Sequence, residues 1–237
     1  MSEARFTLGV VGSTGRLGTA IMAECRHRNV PVGVTASRAG WRLDEPANVL
    51  VDASSAGALA DTVDHCQRHQ AALVYAVSTI SPAAHDRLWR LSELVPVLLA
   101  DNLSFGHWLQ TALVRTIATL TAPFENQPRM SVFERHPVTK ADRPSASARS
   151  LAAAWAGASP PNCHGEVASF RAGQPVSDHV VTFDLPGESV SVHHGVSDLR
   201  AAAMGLLVAA AHLAGRSPGL LLMDEVYSAV AAEGARR

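Results

Sequence analysis

The sequence predicts an α/β protein: a doubly wound parallel sheet, followed by a second α+β domain with a mixed or antiparallel sheet. Three observations carry this expectation. From Phe6 to Ala100, short apolar runs alternate with segments of helical spacing. A glycine-rich turn separates the first run from the first helical segment. Beyond Met130, strand-like runs recur with one helical segment among them.

The elements follow in order. Phe6–Val11 is an apolar run ending at glycine, and the next helix carries Ile21, Met22 and Cys25. Val30–Val34 and Val49–Asp52 read as the second and third strands, and Ala58–His69 as a helix. Leu73–Val77 is a fourth strand and Val97–Ala100 a fifth; between them, Ala83–Leu94 is a helix with Leu88, Trp89 and Leu91 as its apolar face. Ser104 is placed to cap a helix running to about Leu120, with Trp108, Leu109, Ala112, Leu113, Ile117 and Leu120 at helical spacing. Met130–Glu134, Gly165–Arg171, His179–Leu185 and Ser189–His193 read as strands, with a Pro186-Gly187 turn between the last two. The helical segments of this half are 145–156 and, after the strands, an alanine-rich helix over 199–214, whose Leu206, Leu207, Ala210 and Leu213 form a core stripe.

Composition bounds the function. The 237 residues fit one large domain or two small ones, with ample core. With 47% apolar residues and a net charge of −1, the chain reads as globular, without the basic footprint of a nucleic-acid binder. No apolar run approaches the roughly 20 residues needed to span a bilayer. The start, MSEARFTLGVVG, enters a strand without a signal core. Cys25, Cys66 and Cys163 are far apart and lack the spacing of a disulfide frame or zinc site. Neither nucleic acid, membrane nor metal is expected, and a reducing cytoplasm is the natural compartment.

The turn Gly12-Ser13-Thr14-Gly15-Arg16-Leu17-Gly18 lies between the first strand and the first helix. Gly12 permits a tight turn, Gly15 close backbone approach, and Gly18 close helix–strand packing. The helix N-terminus then offers amides to a pyrophosphate, as in a Rossmann-type dinucleotide site. Ser37 and Arg38 follow the second strand where NAD-preferring sites place an acid. A hydroxyl and a guanidinium suit a 2′-phosphate, so NADPH is the expected cofactor, with NADH possible.

Residues 133–148, FERHPVTKADRPSASA, join a glutamate, a histidine and a lysine to a stretch of small residues able to open a helix. The segment Glu134 to Ala148 resembles E-x-H-H-x-x-K-x-D-A-P-S-G-T-A of the dihydrodipicolinate reductase family. The glycine turn resembles that family's GxxGRMG, Val51-Asp52-Ala53-Ser54 its DFT segment, and Asn102-Leu103-Ser104-Phe105-Gly106 its N-x-S-x-G hinge. Arg171-Ala172-Gly173 with His179 is similar to R-x-G-x-x-x-G-x-H, and 217–226 to the carboxy-terminal PGLYxMxDV. The order and spacing of these motifs cover nearly the whole chain.

The resemblance implies hydride transfer from a nicotinamide to an unsaturated, cyclic, imine-type dicarboxylate. It makes His136 and Lys140 catalytic, and Lys140, Ser145, Ala146 and Ser147 substrate-binding. It extends cofactor binding from the glycine turn, Ser37 and Arg38 to Ser54, Ala76, Ser78 and Asn102. Chemistry supports these roles: a histidine titrates near neutrality, a lysine is a compact charge, and helix-terminal amides hold a carboxylate. Asp142 reads as a turn or capping group, and His179, His193 and His194 as strand decoration. The implied domains are a dinucleotide-binding domain over 1–103, with 199–237 packing back on it, and a substrate-binding and oligomerisation domain over 104–198. The family is tetrameric, so a homotetramer is expected.

The departures from the pattern cluster on the substrate side. Pro137 replaces the second histidine, Ala146 the glycine and Ser147 the threonine. The nicotinamide loop G-T-T-G becomes Ala76-Val77-Ser78-Thr79, Ser177 replaces a glycine, Asp198 stands where an arginine is usual, and Asp101 adds a negative charge. The expected function is therefore NADPH-dependent reduction, in a biosynthetic pathway, of a small anionic cyclic imine, enamine or unsaturated carboxylate different from the family's own substrate. The alternatives are a genuine 4-hydroxy-tetrahydrodipicolinate reductase of lysine biosynthesis and a non-catalytic nucleotide-binding protein.

Overall fold

A computed structural model of the chain describes residues 6–78, 80–100, 102–159, 165–173 and 177–234. Thr79, Asp101 and Cys163 lie outside the described residues. The chain divides into two compact units, one of residues 1–103 and 199–237, the other of residues 104–198.

The first unit is built on a seven-stranded sheet. Its elements in chain order are β1 (Leu8–Val11), α1 (Arg16–Arg28), β2 (Val32–Ser37), β3 (Gly40–Leu43), β4 (Val49–Asp52), α2 (Leu59–His69), β5 (Ala72–Tyr75), α3 (Pro82–Ser92) and β6 (Pro96–Leu99). The strand order is β11-β6-β5-β4-β1-β2-β3, where β11 is contributed by residues Gly219–Leu222. All pairings are parallel except β2 with β3. Strands β1, β4, β5 and β6 are buried at every position, which is why they read as continuous apolar runs rather than alternating ones. Leu50, Leu73, Val97, Val63, Cys66, Leu88 and Leu91 share one core cluster.

Ser81 caps α3: its side chain accepts from the Ala84 amide at 3.2 Å, with Pro82 at the first helical position. Ser81→Ala is expected to lower the unfolding free energy by about 1 kcal/mol, read from the urea midpoint. An unchanged midpoint would show that the cap adds nothing.

Several expectations need correction. The second strand runs over 32–37 rather than 30–34, because Val30 closes the end of α1 through Val30 N to Cys25 O, and the chain first meets β1 at Pro31, whose carbonyl accepts from Leu8 N. β3 is an added edge strand with an exposed pattern, so no apolar alternation marks it. β11 is four residues long and runs straight into a further helix, α7 (Met223–Gly234). In α3, Leu88 and Leu91 are buried but Trp89 faces outward, 52% exposed. The alanine-rich helix, α6 (Arg200–Leu213), buries Leu206, Leu207, Ala210 and Leu213 as expected. It approaches the backbone closely: a Cβ on Gly205 would lie 1.8 Å from the Leu103 carbonyl oxygen, which also accepts from Tyr227 Oη at 2.6 Å.

The second unit holds α4 (Phe105–Thr121), β7 (Arg129–His136), α5 (Ala146–Ala156), β8 (Glu166–Arg171), β9 (Ser177–Leu185) and β10 (Glu188–Val196). The sheet order is β10-β9-β7-β8, antiparallel except for the parallel β7–β8 pair. β7 alternates strictly: Met130, Val132, Glu134 and His136 face inward. Helices α4 and α5 pack on that face around Val114, Leu151, Trp155, Val181 and Phe183.

Ser104 caps α4 by accepting from the His107 amide. The buried face of α4 is not the apolar stripe. His107, Gln110, Thr111, Val114 and Ala118 are buried, while Leu109 and Leu113 are exposed, as is Leu120 at 65%. The polar residues of that face are paired. Gln110 Nε2 donates to the His179 and Val192 carbonyls, and His107 Nε2 lies 2.9 Å from Ser150 Oγ.

Candidate active site

In the first unit, the glycine turn, Ser54 and Ala76 follow the carboxyl ends of parallel strands, and Ser37 is the last residue of β2. β1 lies between β4 and β2, so the chain winds outward in opposite directions from the β1–β4 boundary. That is where ligands bind in open α/β sheets. Gly12 adopts φ +80°, and a Cβ there would lie 2.8 Å from Ser54 Cα. A Cβ on Gly18 would lie 2.0 Å from the Gly12 carbonyl oxygen, whereas one on Gly15 would meet only that oxygen, at 3.2 Å. The amides of Gly12 and Ser13 both donate to the Ala36 carbonyl, which ties the turn to β2. The first turn of α1 carries no acidic side chain and no side-chain cap, so its amides suit a pyrophosphate.

Ser54 is fixed by a buried carboxylate. Its amide and hydroxyl donate to Asp52 Oδ1 at 3.0 and 2.5 Å, and Thr62 Oγ1 donates to Asp52 Oδ2 at 2.8 Å. Burial raises the Asp52 carboxyl, against the lowering effect of the Ser54 and Thr62 bonds. Ser37 Oγ accepts from the Ala39 amide, and Arg38 is exposed. Ala76 is half-buried, its amide bonded to the Asp52 carbonyl; Ser78 is exposed and Asn102 half-buried.

In the second unit a buried polar cluster forms around Glu134, which is fully enclosed. Oε1 accepts from Ser169 Oγ at 2.6 Å and from Arg171 Nη2 at 3.1 Å, and the Ser145 amide reaches both carboxylate oxygens at 3.1 Å. Oε2 lies 3.3 Å from His136 Nε2 and 3.7 Å from His179 Nε2. Burial alone would raise the Glu134 carboxyl; the bonds from Ser145, Ser169 and Arg171 outweigh it and hold it at about 2. Burial pushes the His179 imidazole down to about 3, reinforced by His136 and His107 and opposed by Glu134. The ligating atoms of Glu134, His136 and His179 lie within 4.8 Å of one another, a metal-like spacing. The Arg171 guanidinium already supplies the positive charge at this carboxylate, so a divalent cation would meet like charge at contact range.

The sequence-derived candidates fall around this cluster. His136 is buried beside Glu134. Lys140 sits in the loop before α5 and pairs through Nζ with Asp142 Oδ1 at 2.8 Å; this pair keeps the Asp142 carboxyl below its usual range. Ser145 caps α5 by accepting from the Ala148 amide, which places Ala146 and Ser147 in its first turn. Three members were not among the candidates: Glu134, Arg171 and His179. His179 is no strand decoration, since it is buried with Nε2 3.3 Å from Ser145 Oγ. A charged residue on the inward parity of a strand, two positions from His136, was a usable signal for Glu134.

The chain thus pairs a Rossmann-type parallel sheet, with a glycine turn between its first strand and first helix, with a second unit that holds a buried His/Glu/Arg cluster. A family model described as dihydrodipicolinate reductase, C-terminus, matches residues 106–227. The 4-hydroxy-tetrahydrodipicolinate reductase of Zymomonas mobilis subsp. mobilis is 28% identical over 251 aligned positions, covering 94% of this chain and 98% of that protein. The enzyme of the same name from Myxococcus xanthus is 31% identical, covering 92% and 88%. The dipicolinate-bound dihydrodipicolinate reductase from Paenisporosarcina sp. TG-14 has the same fold, with a TM-score of 0.75 at 13% identity over 93% of this chain and 98% of that one. The chain belongs to the dihydrodipicolinate reductase family, whose members are NAD(P)H-dependent oxidoreductases.

Proposed function

We propose that the chain is an NADPH-dependent reductase of a small cyclic imine or enamine bearing a carboxylate, with a substrate pocket altered from the family pattern. One observation carries this: His136, the Lys140 loop and the first turn of α5 are tied to one another through Glu134 and Arg171. When bound, the reduced nicotinamide supplies a hydride to the electrophilic carbon of the double bond. His136 gives a proton to the substrate atom that receives the displaced electron pair, which completes the two-electron reduction. Lys140 exchanges Asp142 for a substrate carboxylate, and the first turn of α5, with Ser145, Ala146 and Ser147, faces the same anion.

The glycine turn with Ser54, Ala76, Ser78 and Asn102 forms the cofactor side, within a dinucleotide-binding domain of residues 1–103 and 199–237. Residues 104–198 form the substrate-binding and oligomerisation domain. Ser37 and Arg38 favour NADPH over NADH. Arg38→Ala is expected to weaken NADPH binding about tenfold and to leave NADH binding unchanged, by fluorescence titration.

The altered pocket rests on Pro137, which offers no donor, and on Asp198, a negative charge where the family usually has an arginine. Both reduce the capacity for a second carboxylate. The second reading, a genuine 4-hydroxy-tetrahydrodipicolinate reductase of lysine biosynthesis, is favoured by the names of relatives that align over 92–94% of the chain. Oxidation of NADPH and NADH with hydroxy-tetrahydrodipicolinate and with monocarboxylate cyclic imines separates the two. Turnover of the dicarboxylate, abolished in Lys140→Ala, supports the second reading; turnover of a monocarboxylate imine alone supports the first. Tight nucleotide binding without turnover of either would sink both.

A homotetramer is supported by the face of the four-stranded sheet opposite α4 and α5. There Phe133 and Phe170 lie outward with ring centroids 5.2 Å apart, at 39% and 56% exposure. The buried thiols of Cys25 and Cys66 suit a reducing cytoplasm, where a biosynthetic reductase would work.

A further inference from the structure

We infer that Glu134 and Arg171 are positioning residues whose buried ion pair tunes how firmly His136 holds its proton and fixes the loop that carries Lys140. The inference rests on the reading of His136 as the proton donor.

The geometry is set by strand register. β7 and β8 run parallel, and His136 is paired with Arg171 and Glu134 with Ser169, all on the inward face. The Arg171 side chain is 2% exposed and reaches two partners of different kinds. Nη2 binds Glu134 Oε1, while Nε donates to the Lys140 carbonyl at 3.0 Å and Nη2 also to the Asp142 carbonyl. One guanidinium therefore joins the buried carboxylate to the backbone on either side of Ala141. On its other oxygen, Glu134 faces the Nε2 atoms of His136 and His179.

Arg171 and His136 therefore compete for one negative charge. Among the described residues, the charged or titratable groups around His136 include Glu134 on its own strand, Arg171 on β8 and His179 on β9, whose ring centroid is 5.1 Å away. From the loop, Lys140 is held by Asp142. With the guanidinium in place, Glu134 is largely neutralised and an imidazolium at His136 can release its proton. Without the guanidinium, the carboxylate would depend on the imidazoles for neutralisation, and His136 would hold its proton to higher pH. Without the carboxylate, the guanidinium would repel a protonated His136, which would lose its proton at lower pH. Removing one member or the other thus moves His136 in opposite directions, which mere loosening of the fold does not.

The test is a titration of the His136 ring nitrogens by NMR in the full chain. Glu134→Gln keeps an acceptor for the Ser145 amide and is expected to lower the midpoint by about one pH unit; Arg171→Gln is expected to raise it by a similar amount. Arg171→Lys keeps the charge but not the fork. It is expected to leave the midpoint near that of the native protein while raising KM severalfold, because the Lys140 loop is released. Midpoints that stay put, or that move the same way in folded Glu134→Gln and Arg171→Gln, overturn the inference. If Glu134→Gln does not fold, Arg171→Gln against Arg171→Lys decides, and equal midpoints overturn it. Opposite shifts in a protein that reduces no imine would uphold the tuning of His136 and reject the proposed function.

Discussion

Gly18→Ala is expected to abolish measurable nucleotide binding and to destabilise the first unit, whereas Gly15→Ala is expected to impair binding alone. The difference lies in what each new methyl group meets. At Gly18 it would lie 2.0 Å from the Gly12 carbonyl oxygen and 2.8 Å from Gly12 C and Ser13 Cα, all backbone atoms. These atoms are held by the Ala36 carbonyl and cannot swing aside as a side chain would. Helix α1 must then shift away from the β1 turn, a form of overpacking that costs about 1–3 kcal/mol or more. The turn Gly12–Gly18 loses its shape with it. At Gly15 the methyl would meet only one oxygen, at 3.2 Å, so the fold adjusts, but the methyl would stand on the backbone that the proposed cofactor site offers to a pyrophosphate. Urea unfolding and fluorescence titration with NADPH check both variants. A Gly18→Ala protein as stable as the native one would refute the steric argument.

The second unit is expected to lose stability in mild acid. Burial, aided by His194, holds the His107 imidazole down at about 4, and burial with His136 and His107 holds His179 at about 3, against 6.5 when unfolded. Both folded pKa values are depressed, so near pH 7 both states hold neutral imidazoles and nothing is lost. As the pH falls below 6.5, the unfolded chain takes up protons that the folded unit refuses. Stability drops until the folded groups also titrate, near 4 and 3. Each histidine accounts for about 3 kcal/mol between pH 7 and pH 4, and the two together for less than the sum, since His107 contributes to the depression of His179. Glu134 adds its own loss only below its unfolded value of 4.5, as the pH falls toward about 2. Urea midpoints at pH 7, 5.5 and 4 measure the effect, and His107→Gln is expected to flatten it. Equal midpoints at pH 7 and 4 would contradict the buried, neutral assignment.

The elements legible in the sequence are those whose pattern is local. The β1–turn–α1 unit is recognisable because its strand is buried on both faces and its glycines have fixed spacing. β3 was missed because an exposed edge strand has no apolar face to betray it, and β11 because four residues joined directly to a helix carry too little pattern. The apolar stripe of α4 pointed to the wrong face. The buried side is polar because Gln110 finds its acceptors 69 and 82 residues away, beyond the reach of any local reading. The candidate site divides in the same way. His136, Lys140 and Ser145 share one contiguous motif. Arg171 and His179 join Glu134 only through the register of β8 and β9, which no spacing in the sequence fixes.

The discontinuous first unit has a consequence for synthesis on the ribosome. Residues 104–198 are complete, with both sheet and helices, before α6 and β11 have been made. The inserted unit can fold while the unit that encloses it in sequence still lacks an edge strand. Until Gly219–Leu222 emerges, β6 presents an unpaired edge whose four residues are all buried in the finished protein. The nascent chain therefore passes through an interval in which its larger sheet is open on one side, and translation that stalls just after α6 would leave an aggregation-prone product with its second unit able to fold.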